Sequence, residues 1–301
     1  MVPCMSEWTA GKVLTWATDD FKGRGIESPR LDAELLLGHV LKVGRLSLYT
    51  GFDRPLEASE LAAYKQVIVR RRAGEPLAYI TGEKEFWSLS FKVTPSVLIP
   101  RPDTETLVSS ALARMGTSGR ALDLCTGSGC VAAALASERP DWTVDATDLS
   151  SEALAVATEN IERLGLVDRV RLLEGDLFAP VQGARFDIIV TNPPYVPDGE
   201  IDTLQPEVQR EPRSALAGGA DGLDLVRRII AAAPDFLNPG ASILLEVDPR
   251  QMKPLLAEVG PVFFQLPGEV VPDLSHTDRV LIFTQNGGDA ESGSRNALER
   301  D

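Results

Sequence analysis

The run Asn192-Pro193-Pro194-Tyr195 joins an amide side chain to two tandem prolines and a phenol. Proline has no N–H and a fixed φ, and it drives the residue before it to extended geometry, so the backbone at Asn192 and Pro193 is stiff and carries bare carbonyl oxygens. Two acceptors held in that way, the Asn192 side-chain carbonyl and the Pro193 backbone carbonyl, suit an amide or amino nitrogen. The nitrogen would donate both hydrogens and keep its lone pair free to attack. For four residues taken alone, a loop that merely ends a strand is the plain alternative. A second chemical feature lies upstream. Cys125-Thr126-Gly127-Ser128-Gly129 follows the apolar run of residues 121–124 and precedes an Ala-rich stretch through Ala136. It reads as a strand, a glycine turn and a helix start, where Gly127 and Gly129 admit a ligand close to the backbone and the free N–H groups of the helix start face it.

Acidic residues extend the set. Asp148 ends the strand-like run of residues 143–147, about twenty residues past the glycines, at the reach of ribose hydroxyls. Asp176 and Leu177 follow the run of residues 170–174, where the carboxylate is placed for an adenine amino group and Leu177 for packing on its ring. Asn192-Pro193-Pro194-Tyr195 itself follows residues 186–191. Every one of these positions lies at the carboxyl end of its strand, the edge at which doubly wound sheets bind ligands. Dehydrogenases share the layout, but Ala132 stands where their third glycine belongs, and no pyrophosphate loop is evident. S-adenosyl-L-methionine fits better: an adenosine for Asp148 and Asp176, an amino-acid moiety for the glycine turn, and no pyrophosphate to cradle.

The elements that must hold these residues are legible as two kinds of pattern. Val13, Trp16, Ala17 and Phe21 recur at helical spacing before Gly23 and Gly25. Ser28-Pro29 offers an N-cap and first-turn proline for a second helix with Ala33, Leu36, Leu37 and Val40 on one face. A third spans about residues 59–73 with Leu61, Tyr64, Val67 and Ile68 inward. Residues 1–85 are thus expected to form a small helical domain, 86–100 a β linker, and 101–285 an alternating helix and strand domain closed by strands near 243–247 and 280–283. The polar stretch 286–301 is expected to be a disordered tail.

With these residues in place, the chain resembles the amino-methyltransferases that use S-adenosylmethionine. Within them it resembles the peptide chain release factor glutamine methyltransferases, the PrmC/HemK family. Beyond Asn-Pro-Pro-Tyr, the likeness rests on Gly74-Glu75-Pro76-Leu77-Ala78-Tyr79-Ile80-Thr81-Gly82, Glu85-Phe86-Trp87 and Val97-Leu98-Ile99-Pro100-Arg101-Pro102-Asp103-Thr104-Glu105. Downstream it continues in Leu204-Gln205-Pro206-Glu207-Val208 and the run from Ala215 to Leu223. Ribosomal-protein glutamine methyltransferases carry a different segment at Arg101–Glu105 and match less well. The resemblance implies a seven-stranded, doubly wound, Rossmann-like α/β methyltransferase domain behind a helical substrate-recognition domain. It implies S-adenosyl-L-methionine at Cys125, Thr126, Gly127, Ser128, Gly129, Asp148, Asp176, Leu177 and Asn192. It implies a substrate clamp at Asn192, Pro193, Pro194 and Tyr195, with Asn192, Pro193 and Tyr195 catalytic, and as substrate the Gly-Gly-Gln glutamine of class 1 release factors. Leu177 replaces a common aromatic, and Glu246-Val247-Asp248 replaces a common Glu-x-Gly.

Composition limits the alternatives. Thirty Lys and Arg against 44 Asp and Glu leave a net charge of −14, which disfavours bare RNA or DNA as partner and with it methylation of an exocyclic base amine; no direct nucleic-acid binding is expected. Arg70-Arg71-Arg72 is a local exception, read as cations at a helix C-terminus. Cys4, Cys125 and Cys130 show no C-x-x-C, the last two reading as buried structural thiols, and His39 and His276 are far apart, so no metal site is expected. No segment is long and apolar enough to span a bilayer, and residues 1–8 lack a signal-peptide pattern, so the cytoplasm is the expected compartment. An intact Asn-Pro-Pro-Tyr speaks against a noncatalytic cofactor-binding adaptor.

Overall fold

The computed structural model describes residues 8–258 and 268–285; Cys4 and the tail expected over 286–301 lie outside the described residues. Two compact units divide the chain. One holds the residues up to Pro100 together with Gly199–Ala215, and the other holds Arg101–Asp198 and the residues from Leu216 onward.

The first unit is built from α1 (Ala10–Gly23), α2 (Pro29–Leu41), α3 (Arg45–Thr50), α4 (Ala58–Arg72), α5 (Leu77–Thr81) and a hairpin of β1 (Glu83–Phe86) and β2 (Leu89–Lys92). Its core joins Val13, Leu14, Ala17 and Phe21 of α1 to Leu36 and Leu37 of α2 and Tyr64 and Ile68 of α4. Thr9 caps α1 by accepting from the Lys12 N–H, and Glu57 and Glu60 form a capping box at α4. Ser28 makes no such bond. Its ψ of 61° departs from the extended cap geometry that turns a side chain onto the first N–H groups, so Pro29 alone marks the start of α2. Trp16, expected inward, is 44% exposed and carries the Arg72 guanidinium 5.2 Å from its ring centroid. Arg70, Arg71 and Arg72 do occupy the last turn of α4, but each is taken by a carboxylate: Glu75, Asp32 with Glu207, and Asp20 respectively. The hairpin starts at Glu83, three residues before the expected linker. Gly82, in left-handed backbone at φ 79°, ends α5 and turns the chain directly into it. Residues 199–215 join this unit through Glu207 on Arg71 and through Glu211, which accepts the Ile99 N–H at 3.0 Å.

The second unit is a seven-stranded sheet with helices. In chain order it contains α6 (Glu105–Leu112), β3 (Gly119–Leu124), α7 (Cys130–Glu138), β4 (Trp142–Asp148), α8 (Ser151–Arg163), β5 (Val170–Glu174), β6 (Phe186–Thr191), α9 (Asp224–Ala232), β7 (Leu237–Glu246), α10 (Pro249–Glu258), β8 (Glu269–Pro272) and β9 (Asp278–Thr284). The order across the sheet is β5-β4-β3-β6-β7-β9-β8, parallel from β5 to β7 and antiparallel at β9 and β8. Strands buried on both faces need continuous apolar runs, and Ile188, Ile189, Val190, Ile243, Leu244 and Leu245 supply them. The winding reverses between β3 and β6, so the loops that leave these two strands open beside each other at the carboxyl edge. Among the described residues no helix is long and apolar enough to cross a membrane.

Candidate active site

The reversal point brings the two sequence features together. Leu124 and Thr191 are register partners at the ends of β3 and β6, and the Thr191 hydroxyl donates to the Leu124 carbonyl at 2.9 Å. The glycine turn therefore starts where Asn192-Pro193-Pro194-Tyr195 starts. Cys125 (φ 58°), Gly127 (φ 56°) and Gly129 (φ 78°) all lie in left-handed backbone, and a side chain on Gly127 would project into open space. The cost of holding Cys125 there falls on a non-glycine residue, which marks the turn as constrained by its surroundings. Thr126 and Ser128 are buried. The Thr126 hydroxyl donates to Asp123 at 2.6 Å, and the Ser128 carbonyl accepts from Asn160 Nδ2 at 2.9 Å. The Thr126 side chain and the Ser128 backbone thus brace the turn from within, while Cys125 packs against the core.

Asp148 closes the turn from the neighbouring strand. One of its carboxylate oxygens accepts the Gly127 N–H at 2.8 Å and the other the Ser150 N–H at 2.9 Å. Each oxygen retains a lone pair for a ribose hydroxyl. Asp176 is ion-paired with Arg228 of α9 at 2.5 Å. Leu177 sits in left-handed backbone at φ 51° and is part of the buried cluster with Phe178 and Val226, so the core claims much of its side chain. Cys130 is buried and its thiol is pushed up to about 12 by desolvation; burial likewise raises that of Cys125.

Several residues that hold this site receive no role from the sequence. Asp123, buried inside β3, also accepts the Ala132 N–H at 3.2 Å. Desolvation raises its pKa to about 7, against the lowering effect of Thr126 and Ala132. Behind Asn192 stands a second buried carboxylate. Glu246, at the end of β7, is 1% exposed, and burial raises its pKa to about 7 although the Thr104 hydroxyl and Arg279 pull it down and Asp103 pushes it up. The Tyr195 hydroxyl points at Glu246 Oε1 from 3.4 Å, and Asn192 Nδ2 donates to Thr104 Oγ1 at 3.1 Å. The backbone after the motif is fixed by the loop at 216–222. Val196 exchanges bonds with Leu216 and Gly218, and Gln251 Nε2 donates to the Tyr195 carbonyl at 2.9 Å. Gly222 has φ 79°, and a Cβ there would lie 2.2 Å from the Tyr195 carbonyl oxygen. The glycines of the run from Ala215 to Leu223 were the signal for this contact; only the fold shows what they touch.

Comparison with known proteins gives the family. A release factor glutamine methyltransferase of Geobacter sulfurreducens is 48% identical over 250 residues, covering 83% of this chain and 87% of that protein. One of Rhodopirellula baltica is 39% identical over 284 residues, covering 91% and 95%. The chain belongs to the release factor glutamine methyltransferase family. Residues 12–82 match the PrmC N-terminal domain and residues 102–219 the Methyltransferase small domain. A methyltransferase from Pyrococcus furiosus shares the fold, with a TM-score of 0.50 at 23% identity over 74% of this chain and 98% of that one. The cofactor of this methyltransferase family is S-adenosyl-L-methionine, and the geometry accommodates it: open space over Gly127, acceptor capacity left on Asp148, and left-handed backbone through the turn.

Removing the Asp148 carboxylate tests whether it holds a ribose. Asp148→Ala is expected to weaken S-adenosylmethionine binding by about 1.5–3 kcal/mol, the range for hydrogen bonds to a charged group. Asp148→Asn is expected to cost less, because it keeps one acceptor. Calorimetric titration checks both, and an unchanged dissociation constant in a folded Ala variant would move the ribose contact elsewhere.

Proposed function

We propose that this chain transfers a methyl group from S-adenosyl-L-methionine to the side-chain amide nitrogen of the glutamine in the Gly-Gly-Gln motif of class 1 peptide chain release factors. The observation that carries this reading is the disposition of Asn192, whose Nδ2 is spent on Thr104 so that its Oδ1 is left as an acceptor beside the cofactor turn. When bound, S-adenosyl-L-methionine supplies an electrophilic methyl on a sulfonium. Asn192 Oδ1 and the Pro193 carbonyl accept the two N–H groups of the substrate amide. An amide nitrogen is a poor nucleophile because its lone pair is delocalised, and acceptors on both hydrogens favour the pyramidal nitrogen and the positive charge that grows on it. Pro193 and Pro194 keep the acceptors from yielding, so orientation supplies most of the remainder. Tyr195, anchored through its hydroxyl on Glu246, walls the pocket and holds the amide plane.

Glutamines are common, so selectivity must come from surface outside the pocket. The helical unit is the docking module in this reading, and it exposes apolar side chains on and beside α3: Leu46, 84% exposed, with Tyr49 and Phe52. A basic partner protein is favoured by the charge of −14, nucleic acid is not among the partners, and the cytoplasm is the compartment. Leu46→Asp is expected to slow methylation of intact release factor by about tenfold, on the scale of one lost interface contact, and to leave the slow rate on a short glutamine peptide unchanged. Equal rates on intact release factor would place selectivity elsewhere. The function itself is tested with labelled S-adenosylmethionine and separate release-factor, ribosomal-protein and RNA fractions. Mass mapping of the product is expected to find one methyl group on the release-factor glutamine, and label confined to another fraction would overturn the proposal.

A further inference from the structure

Asn192 accepts a substrate N–H only if its amide is turned one way. The two ends of a primary amide are nearly equal in shape, but one is an acceptor and the other a double donor. Turned over, Asn192 would meet the substrate nitrogen's hydrogens with its own. The shape of the loop does not choose between the two; its polar neighbours do.

The segment Arg101–Glu105, which the sequence singles out and the methyl transfer itself leaves without a task, supplies the neighbour. A short helical turn over Pro102–Thr104 leads into α6 and places Thr104, 3% exposed, between Asn192 and Glu246. Asp103 next to it is held by Arg279 at 2.9 Å. Above its pKa of about 7 the Glu246 carboxylate is ionised and can only accept, so there the one hydroxyl proton of Thr104 belongs to Glu246. Thr104 then has lone pairs but no proton for Asn192, and it can satisfy only the Nδ2 end. This is the contact observed, at 3.1 Å. Glu246 is a costly group to keep there: it is buried, and its Oε2 has no hydrogen-bond partner among the described residues. A hydrocarbon side chain would fill the same volume without that penalty, so what the carboxylate contributes is its polarity.

We infer that Thr104 is a positioning residue for methyl transfer, its hydroxyl, directed by Glu246, fixing the Asn192 amide with Oδ1 toward the acceptor nitrogen. The inference rests on the proposed glutamine methylation for its kinetic consequence but not for its structural one. The direction of hydrogen bonding runs from Asn192 to Thr104 to Glu246, and reversing or cutting it frees the amide to rotate.

Thr104→Val removes the hydroxyl at constant shape, and Thr104→Ala serves in its place should the Val variant not fold. At pH 8.5, where Glu246 is ionised, the Val variant is expected to turn over release factor about 10–100-fold more slowly, with its S-adenosylmethionine dissociation constant within about twofold of the parent, the pattern of an interaction used chiefly in the transition state. Thr104→Ser, which keeps the hydroxyl, is expected to recover turnover to within about threefold. A readout independent of any substrate is the Asn192 side-chain NH₂ signal in ¹⁵N-labelled enzyme, assigned by its loss in N192A. Its slow exchange with solvent is expected in the parent and in T104S and is expected to be lost in T104V. Full turnover in T104V, a Ser variant as slow as Val, or an unchanged Asn192 signal in T104V would each overturn the inference. A parent enzyme that leaves release factor unmodified would overturn the functional reading instead, and the Asn192 signal would still decide the role of Thr104.

Discussion

Asn192→Ala is expected to lower turnover by about 10²-fold or more while S-adenosylmethionine affinity changes much less, because in the proposed mechanism the lost acceptor is used mainly as charge develops on the substrate nitrogen. The structure sharpens the expectation for a second replacement. Asn192→Asp restores an acceptor of the same shape but puts an oxygen where Nδ2 now donates to Thr104. Thr104 has one proton, and Glu246 competes for it, so the carboxylate at 192 would face a lone pair rather than a partner. Asp is therefore expected to rescue little of the loss. Single-turnover rates and calorimetry on the two variants check this, and near-normal turnover in N192A would remove the clamp from the mechanism.

Asp123→Asn is expected to change how stability depends on pH. Burial holds the Asp123 carboxyl near 7 in the folded protein, with the negative charge of Asp148 adding to the rise, against 3.8 when unperturbed. The folded chain thus binds this proton more tightly than the unfolded chain. The stability it contributes is complete below pH 3.8 and is lost as pH rises through about 7, a change of about 4 kcal/mol for a single carboxyl displaced this far. Asn keeps an acceptor for the Thr126 hydroxyl and the Ala132 N–H but cannot ionise. Urea unfolding of the cofactor-free protein at a series of pH values from 4 to 8 is expected to show the parent falling relative to the variant by about this amount. Parallel curves for the two proteins would show that Asp123 does not ionise in that window.

The parts of the site visible in the sequence are those whose chemistry is local. Strands β3 to β6 each reach a glycine, aspartate or proline at or within three residues of their carboxyl ends, which points to the candidate cofactor edge whatever the rest of the fold does. Gly127 and Gly129 needed no partner to be noticed. Thr104 and Glu246 depend on partners 88 and 51 residues away, and a threonine opening a helix or a glutamate ending a strand looks the same whether or not it aims an amide. Asp123 is hidden for the same reason, since a carboxylate in a strand does not announce that it is buried. Strand β8, Glu269–Pro272, is too short and polar at its ends to show a period, and α3 and α5 span only six and five residues. Trp16 fits the apolar face of α1 by spacing, but a nearby guanidinium is enough to hold its ring at the surface.

Residues 199–215 interrupt the catalytic unit immediately after its acceptor loop, and both stems of the interruption are pinned: Val196 bridges Ala217, and the Asp198 N–H reaches the Gly219 carbonyl at 2.9 Å. The two modules are therefore not beads on a string that a single cut can separate. A fragment beginning at Arg101 would still carry seventeen residues whose hydrogen-bonding partners, Arg71 and the Ile99 N–H among them, had been left behind. To transplant this sheet unit or join a different helical unit to it, an engineer has two seams to respect. The second lies between Asp198 and Leu216, where the pinned stems offer a ready place for a short bypass.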